Sequence, residues 1–309
     1  MVYLICPLEG SLILPISPEE REARRVSVGA SDVGAIMGLS PFANAHDIYL
    51  QKVVGTDEEG GTEAQNLGND CEPMLVIWAD EQLGNRNPDC LMEVDKKFTK
   101  LLDEPGKILP AHANLDGFSI YEDKRIGIEA KTTSMFGAFG ETGTDEVPDH
   151  ILVQAQWQIF VADLDRVVIP VLHGDGNLRR TFYSVDPNPE LIESIKAQVM
   201  DFWNDHVIPK IPPRDLIPNL ETMTSLRRQP ETSVDLPEDL VRNWLVTREV
   251  KSQAAKDEKA AKAALMSAMS DAEGGECELG TLTYFKQKRA GYTTQDAEFR
   301  VLRWKGKKK

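Results

Sequence analysis

Asp116-Gly117 is followed, thirteen residues after the aspartate, by Glu129-Ala130-Lys131. On a β-strand, positions i and i+2 share a face, so Glu129 and Lys131 are expected to project together. If Asp116 begins the neighbouring strand of a hairpin, two carboxylates and one ammonium meet near one end of a sheet. That set suits hydrolysis of a phosphodiester. The carboxylates hold Mg²⁺ or Mn²⁺ through oxygen, and the metal polarises the phosphate and acidifies a bound water. Lys131 positions or deprotonates that water and offsets charge in the transition state.

Glu-x-Lys by itself is common, and its ordinary reading is a solvated strand face. Glu122-Asp123-Lys124 and Glu249-Val250-Lys251 match it equally well, and Asp95-Lys96-Lys97 matches Asp-x-Lys. Context separates Glu129 from these. Upstream, Gly68-Asn69-Asp70-Cys71-Glu72-Pro73 offers a third carboxylate, Glu72, which otherwise reads as a surface helix Glu. Downstream, in Val147-Pro148-Asp149-His150-Ile151-Leu152-Val153-Gln154-Ala155-Gln156-Trp157-Gln158, Gln154 and Gln158 share one helical face. Amides there can bond a metal-holding carboxylate or a DNA phosphate; the plain alternative is a polar helix face.

Those residues must be carried by an α/β core. Leu67, Cys71, Leu75, Trp78 and Leu83 recur at helical spacing and predict an amphipathic helix over 65–83. Short β-type segments follow at Leu91–Phe98, Ile108–Leu115, Phe118–Tyr121 and Arg125–Lys131, with turns at Asp116-Gly117 and Glu122-Asp123-Lys124. A Gly- and acid-rich loop over Gly137–Val147 leads to a helix over 149–163. Val167–Leu172 and Thr181–Val185 read as strands, and 188–206 as a further helix. Near the N-terminus, in Val28–Phe42, Ser31 is expected to cap a short helix that Gly38 and Ser40-Pro41 end, and Asp47–Val54 forms a second. Residues 1–210 are expected to form the core and the Pro-rich 211–236 an extended connector. Residues 237–309 hold a long helix to Met269, a strand from Leu279 and a basic tail.

The chain of 309 residues has 35 Lys+Arg against 50 Asp+Glu, a net charge of −15. A generic nucleic-acid coat is excluded by that balance; a nuclease with its positive charge confined to one groove is not. No stretch approaches the ~20 apolar residues of a membrane helix. The apolar N-terminus has no Lys or Arg ahead of its hydrophobic run and contains Glu9, so a strand or hairpin is expected there and not a signal peptide. Cys6, Cys71, Cys90 and Cys277 lack metal or disulfide spacing and fit a reducing cytoplasm. No GxxxxGK[ST] motif is present, so no ATP motor is encoded.

In order, Gly-Ala-Ser-Asp (29–32), Leu-Ser-Pro-Phe (39–42), Gly68–Pro73, Leu115-Asp116-Gly117, Ile128–Lys131 and Val147–Gln158 resemble the YqaJ-type viral recombinase family. That family is similar to phage lambda exonuclease and belongs to the PD-(D/E)XK nuclease superfamily, close to RecB-type domains. The resemblance covers roughly residues 20–210. It implies a restriction-endonuclease-like core, a mixed central sheet flanked by helices, here with a C-terminal helical extension. It also implies Asp116 and Glu129 as metal ligands with the Ala130 carbonyl completing the shell, Lys131 as the catalytic lysine, and Glu72 as the helix carboxylate at the metals. Arg24, with Arg25 as its neighbouring alternative, and Ser31 are placed at a 5′-terminal phosphate. For Ser31 this is compatible with an ordinary N-cap. Asn114 falls near that phosphate, and Gln154 and Gln158 are the glutamines of the helix motif. Two departures stand out: Leu115-Asp116 replaces Pro-Asp, and Gln158 stands where RecB-like nucleases often carry Tyr.

The implied activity is a Mg²⁺-dependent exonuclease, Mn²⁺ substituting, on linear double-stranded DNA ends. It would run 5′ to 3′ and leave 3′ overhangs in the cytoplasm of a phage- or prophage-bearing bacterium. A ring-like homotrimer and a single-strand annealing protein are the implied partners, with no membrane. The alternatives are an endonuclease or repair nuclease of the same fold, and a non-catalytic DNA-binding scaffold. Of the histidines, His112, four before Asp116, is the one expected near the site. Trp203, Trp244 and Trp304 are expected in core or oligomer contacts. The basic tail from Lys286 is read either as a phosphate- or partner-binding segment or as a solubilising terminus.

Overall fold

The computed structural model describes residues 18–55, 63–84, 93–135, 137–174, 176, 178–214 and 216–284. The expected N-terminal strand, most of the acidic loop before residue 63, and the basic tail with Trp304 lie outside the described residues. Two compact units are present, divided between Arg228 and Gln229.

The first unit is built on a mixed seven-stranded sheet. β1 (Val28–Gly29) runs parallel to β3 (Lys107–Tyr121), and β2 (Glu93–Glu104) is antiparallel to β3 from Lys107 to Phe118. β4 (Lys124–Ile128) returns antiparallel to β3 and parallel to β6 (Arg166–His173). β5 (Lys131–Thr133) also pairs with β6, whose other edge takes β7 (Arg179–Val185).

Side-chain alternation on β6 shows how both faces are covered. Val167, Ile169 and Val171 pack against Ile151, Ala155 and Ile159 of α5 (Asp149–Ala162), whereas Val168 joins Ile126, Ile128, Val76 and Ala79 on the opposite face, under α4 (Glu63–Gln82). A sheet covered on both sides needs strands without a polar face, and β6 has that pattern. Helix α5 is apolar nearly all round, the signature of a buried helix. It joins β3 residues Leu109, Ala111 and Ala113 to Ile195, Val199 and Met200 of α6 (Pro189–Phe202). Trp203 opens the π-helical turn that ends α6 and sits in the same core, as expected. Three short helices, α1 (Pro18–Arg25), α2 (Ala30–Ile36) and α3 (Ala45–Val53), cover the end of the sheet nearest β1.

Three expectations are corrected. Asp116-Gly117 is not a turn: β3 runs through it, and the chain reverses at Glu122-Asp123, both with positive φ. Gly117 serves close approach instead, since a Cβ there would lie 2.7 Å from Val76 Cγ1. Ser31 is not the N-cap of α2; Gly29 is, and Asp32 Oδ2 accepts from Gly29 N at 2.9 Å. The stretch 211–236 is not one extended connector. Its part up to Arg228 belongs to the first unit and contains α7 (Leu220–Ser225), Asn219 N donates to buried Asp47 Oδ1 at 2.7 Å, and Leu226 is buried.

In the second unit, α8 (Glu238–Met269) has no buried residue and is followed by an antiparallel hairpin of β8 (Gly274–Cys277) and β9 (Gly280–Thr283). Trp244 lies on α8 with the Arg248 guanidinium 4.8 Å from its ring centre.

Candidate active site

The site arises where the sheet forks. β4 and β5 keep one register along β6, Ile128 opposite Val168 and Lys131 opposite Val171, so they are one strand interrupted at Glu129-Ala130. Glu129 N still donates to Val168 O, holding the interruption in the ladder. β3 pairs with this strand only over Gly117–Tyr121, and farther back the same edge of β3 meets β1 at Ala111 and His112. Between these, residues 113–116 have no strand partner on that edge among the described residues. Backbone polar groups at such a gap must find other partners.

They find polar side chains. Asp116 Oδ2 accepts from Ala130 N at 2.8 Å, tying the two arms of the fork together. Glu129, only 5% exposed, accepts three hydrogen bonds: Oε1 from Lys131 Nζ and Gln154 Nε2, each at 2.5 Å, and Oε2 from Gln158 Nε2 at 2.5 Å. Gln158 Nε2 also donates to Asn114 O at 3.2 Å, closing the gap in β3. Because Glu129 is acceptor-only when ionised, both glutamine amides must present nitrogen to it. The Gln158 Oε1 atom is left buried without a partner, a cost of about 1–3 kcal/mol that the fold alone does not require.

Helix α4 brings the third carboxylate. A Cβ at Gly68 would lie 3.4 Å from Thr132 Oγ1, so this turn of α4 runs close to β5, and Glu72 stands one turn farther on. Desolvation raises the Glu72 carboxyl above its ordinary range, and Glu129 and Asp95 raise it further while Lys131 lowers it. Asp116 is pushed well above the ordinary aspartate value, first by desolvation, then by Glu129, against the opposing pull of Lys131. Burial of Lys131 works to lower its pKa, but Glu129 and Asp116 outweigh it, and the ammonium is held charged.

Among the described residues no three His, Cys, Asp or Glu side chains converge into a closed metal cage. Glu72 therefore stands in electrostatic range of the Asp116–Glu129 pair and does not complete a side-chain triad with it. Two carboxylates with an excess of negative charge form an open, oxygen-only set. That chemistry fits a hard cation which keeps several waters.

A cavity of about 400 Å³ adjoins the fork and shares Asn114 with it; Arg24, Ser27, Lys97, Thr99 and His112 also line it. Burial lowers the His112 imidazole to about 4, Asp32 opposing, and its Nδ1 shares a 2.8 Å hydrogen bond with Ser27 Oγ. Arg25 is used elsewhere. Its guanidinium bonds Lys52 O and Val53 O at the end of α3 and Glu22 on its own helix α1. Ser31 is exposed on the first turn of α2 and does not line the cavity. The histidine whose charge environment includes Lys131 is His150, not His112: desolvation lowers its imidazole and Lys131 lowers it further. Its position was readable, since His150, Gln154 and Gln158 follow one another at four-residue spacing on one face of α5.

A carboxylate on one strand and Glu-x-Lys on its interrupted neighbour thus meet at the fork of a mixed sheet with helices on both faces. Residues 21–165 match the YqaJ-like viral recombinase domain. The uncharacterized protein YqaJ of Bacillus subtilis (strain 168) is 28% identical over 188 residues, which cover 60% of this chain and 54% of the relative. The chain thus spans about half the length of that relative. Among solved structures, the alkaline exonuclease LHK-Exo from Laribacter hongkongensis is 18% identical with a TM-score of 0.44, covering 62% of this chain and 94% of that one. A phage-related exonuclease from Haemophilus somnus 129PT is 12% identical with a TM-score of 0.41, covering 62% and 99%.

Proposed function

We propose that this chain is a divalent-metal-dependent deoxyribonuclease, specifically a 5′-to-3′ exonuclease on linear double-stranded DNA that leaves 3′ single-stranded overhangs for phage-type recombination. The observation that carries the reading is the fork, where Asp116, Glu129 and Lys131 meet over the two glutamines of α5.

In this reading Asp116, Glu129 and the Ala130 carbonyl hold Mg²⁺, with Mn²⁺ able to substitute, and Glu72 acts from α4 through the hydration of the site. The cation supplies Lewis-acid chemistry at the phosphodiester. The protein's own residues do the rest. Gln154 and Gln158 fix the Glu129 carboxylate so that it needs no reorganisation when charge develops. Lys131, beside the Glu129 and Asp116 carboxylates, offsets the growing negative charge on the phosphoryl oxygens and positions the attacking water.

Arg24 and Asn114 line the adjoining cavity and are assigned to a 5′-terminal phosphate; Ser31, exposed on α2 outside that lining, is assigned to it by the family resemblance alone. The acidic surface, at net −15, suits an assembly in which only the DNA channel is positive. A homotrimeric ring and a single-strand annealing partner complete the reading, in the cytoplasm of a phage- or prophage-bearing bacterium. No helix among the described residues is long and apolar enough to cross a membrane.

The test is digestion of linear duplex with Mg²⁺, comparing 5′-phosphorylated, 5′-hydroxyl and closed circular DNA. Loss of the 5′-phosphorylated strand alone is expected. Nicking of the circle would replace the exonuclease with an endonuclease, and inertness toward all three, with Mn²⁺ also tried, would leave a DNA-binding scaffold.

A further inference from the structure

One aromatic side chain beside the site has no role in the fold or in the chemistry above. Phe42, in the loop between α2 and α3, leaves 68% of its surface exposed. Single exposed apolar residues are ordinary; this one is distinguished by how firmly it is held and by where it stands. Its N–H donates to Ser40 Oγ at 3.1 Å, as does the N–H of Ala43 at 3.3 Å. Its carbonyl accepts from Asn219 Nδ2 at 2.5 Å. The 216–219 segment braces the same loop a second time through Asn44 Nδ2, which donates to Ile217 O at 3.0 Å. The backbone is fixed on both sides of a ring that points into solvent.

The ring meets His150 edge to face, with centroids 5.9 Å apart and planes at 81°. His150 lies one helical turn before Gln154, whose amide bonds Glu129 Oε1, so the Phe42–His150 pair continues the catalytic face of α5 by one turn toward solvent. Gly34 permits this docking, since a Cβ there would lie 3.0 Å from His150 Cβ.

We propose that Phe42 and His150 form a stacking corner for the nucleobase adjoining the scissile phosphodiester. The inference rests on the nuclease reading. Aromatic faces accept any base and bind it without sequence preference, as an enzyme that works along a strand requires. A ring whose backbone is already fixed loses little entropy on binding, and a base seated on it sets the register of the neighbouring phosphate over Lys131 and Glu129.

The full chain is titrated with a 5′-phosphorylated linear duplex carrying 2-aminopurine at the first or second nucleotide, with Ca²⁺ replacing Mg²⁺. Quenching is expected with the unaltered protein, loss of quenching with Phe42→Ala, and recovery with Phe42→Trp. Affinity for the end should fall about 5- to 150-fold in Phe42→Ala, the range for removing one aromatic–base stack. An abasic residue at the same nucleotide should weaken the unaltered protein by a similar factor and leave Phe42→Ala unchanged. A merely structural role would not produce that non-additivity. Phe42 is exposed, so the variant should keep the parent melting temperature, which is measured alongside. If the unaltered protein cuts linear duplex and Phe42→Ala matches it in quenching and affinity, the stacking corner is refuted while the nuclease stands. If the unaltered protein neither binds nor cuts linear duplex, the nuclease reading falls and takes this inference with it.

Discussion

Ionising Asp116 requires a negative charge to be held in a desolvated place beside Glu129, and the fold supplies one ammonium, on Lys131, for the carboxylates of Asp116, Glu129 and Glu72. The imbalance has consequences that can be measured without substrate. Asp116 and Glu72 have folded-state pKa values above their ordinary ones, so the folded chain binds their protons more tightly than the unfolded chain does. Their contribution to stability is therefore complete below the ordinary carboxylate range and is lost as pH rises through the raised values. In EDTA, the melting temperature should fall from mildly acidic to neutral pH, and Asp116→Asn should flatten that fall and melt higher at pH 7. Superimposable profiles would remove Asp116 as the cause. Adding Mg²⁺ should restore stability to the unaltered protein, by about 2.7 kcal/mol at a hundredfold excess over the dissociation constant, and do much less for Asp116→Asn. Lys131→Ala should keep the fold and lose about 10²-fold or more in single-turnover cleavage of linear duplex, the scale of removing one electrostatic stabiliser. Wild-type rates in that variant would overturn the assignment of Lys131.

Gly117 shows how the elements hold the residues in place. It follows Asp116 on β3, and a Cβ on it would press on Val76 Cγ1 of α4 at 2.7 Å and on Ile128 at 3.1 Å. Gly117→Ala should cost about 1–3 kcal/mol as an overpacked contact and lower cleavage by pushing the helix that carries Glu72 off the strand that carries Asp116. Adding Val76→Ala makes room, so the double variant should recover part of both losses. A double variant that melts no higher than Gly117→Ala would locate the strain elsewhere. This glycine also marks where the sequence misleads. Asp-Gly between two β-type runs signals a turn through backbone preference, and nothing local says that a helix distant in sequence needs the missing side chain. The same limit explains Ser31: Ser before an apolar run is a sound cap, but Asp32 three residues after Gly29 completes a cap two residues earlier. The elements with many periodic residues were legible: α4, α5 and α8 fall within a few residues of their expected spans, and β6 and β7 likewise. Periodicity put Glu129 with Lys131 and Gln154 with Gln158 on shared faces, whereas Asp116 entered through the order of the surrounding motifs and not through its own spacing. The role of Arg25 was not legible, because its partners come from the end of α3, and for His150 only the position on the helix face was readable, since its contact with Phe42 comes from another element.

At the scale of the whole molecule, composition places the end of the core at residue 210, where Pro-rich sequence begins, but packing places it at Arg228. The intervening segment reaches parts of the chain some 170 positions earlier in sequence: Asn219 N satisfies Asp47 Oδ1, a group with no exposure at all, and Arg227 N donates to Gly55 O. Leu226 is 3% exposed and Thr222 is also buried. Proline limits local helix formation, yet it does not prevent a segment from docking through its flanking residues. A chain cut after Arg228 keeps every one of these contacts, together with all the residues assigned to the site. It should fold cooperatively and cleave linear duplex. A chain cut after Lys210 loses the burial of Leu226, about 1.5–3 kcal/mol, and leaves the Asp47 carboxylate short of a donor, about 1–3 kcal/mol more. It also frees the loop that presents Phe42. Thermal melts and linear-duplex digestion of the two truncations decide the boundary. The shorter one should melt well below the longer and bind DNA ends more weakly, and equal behaviour would mean that residues 211–228 are a connector after all.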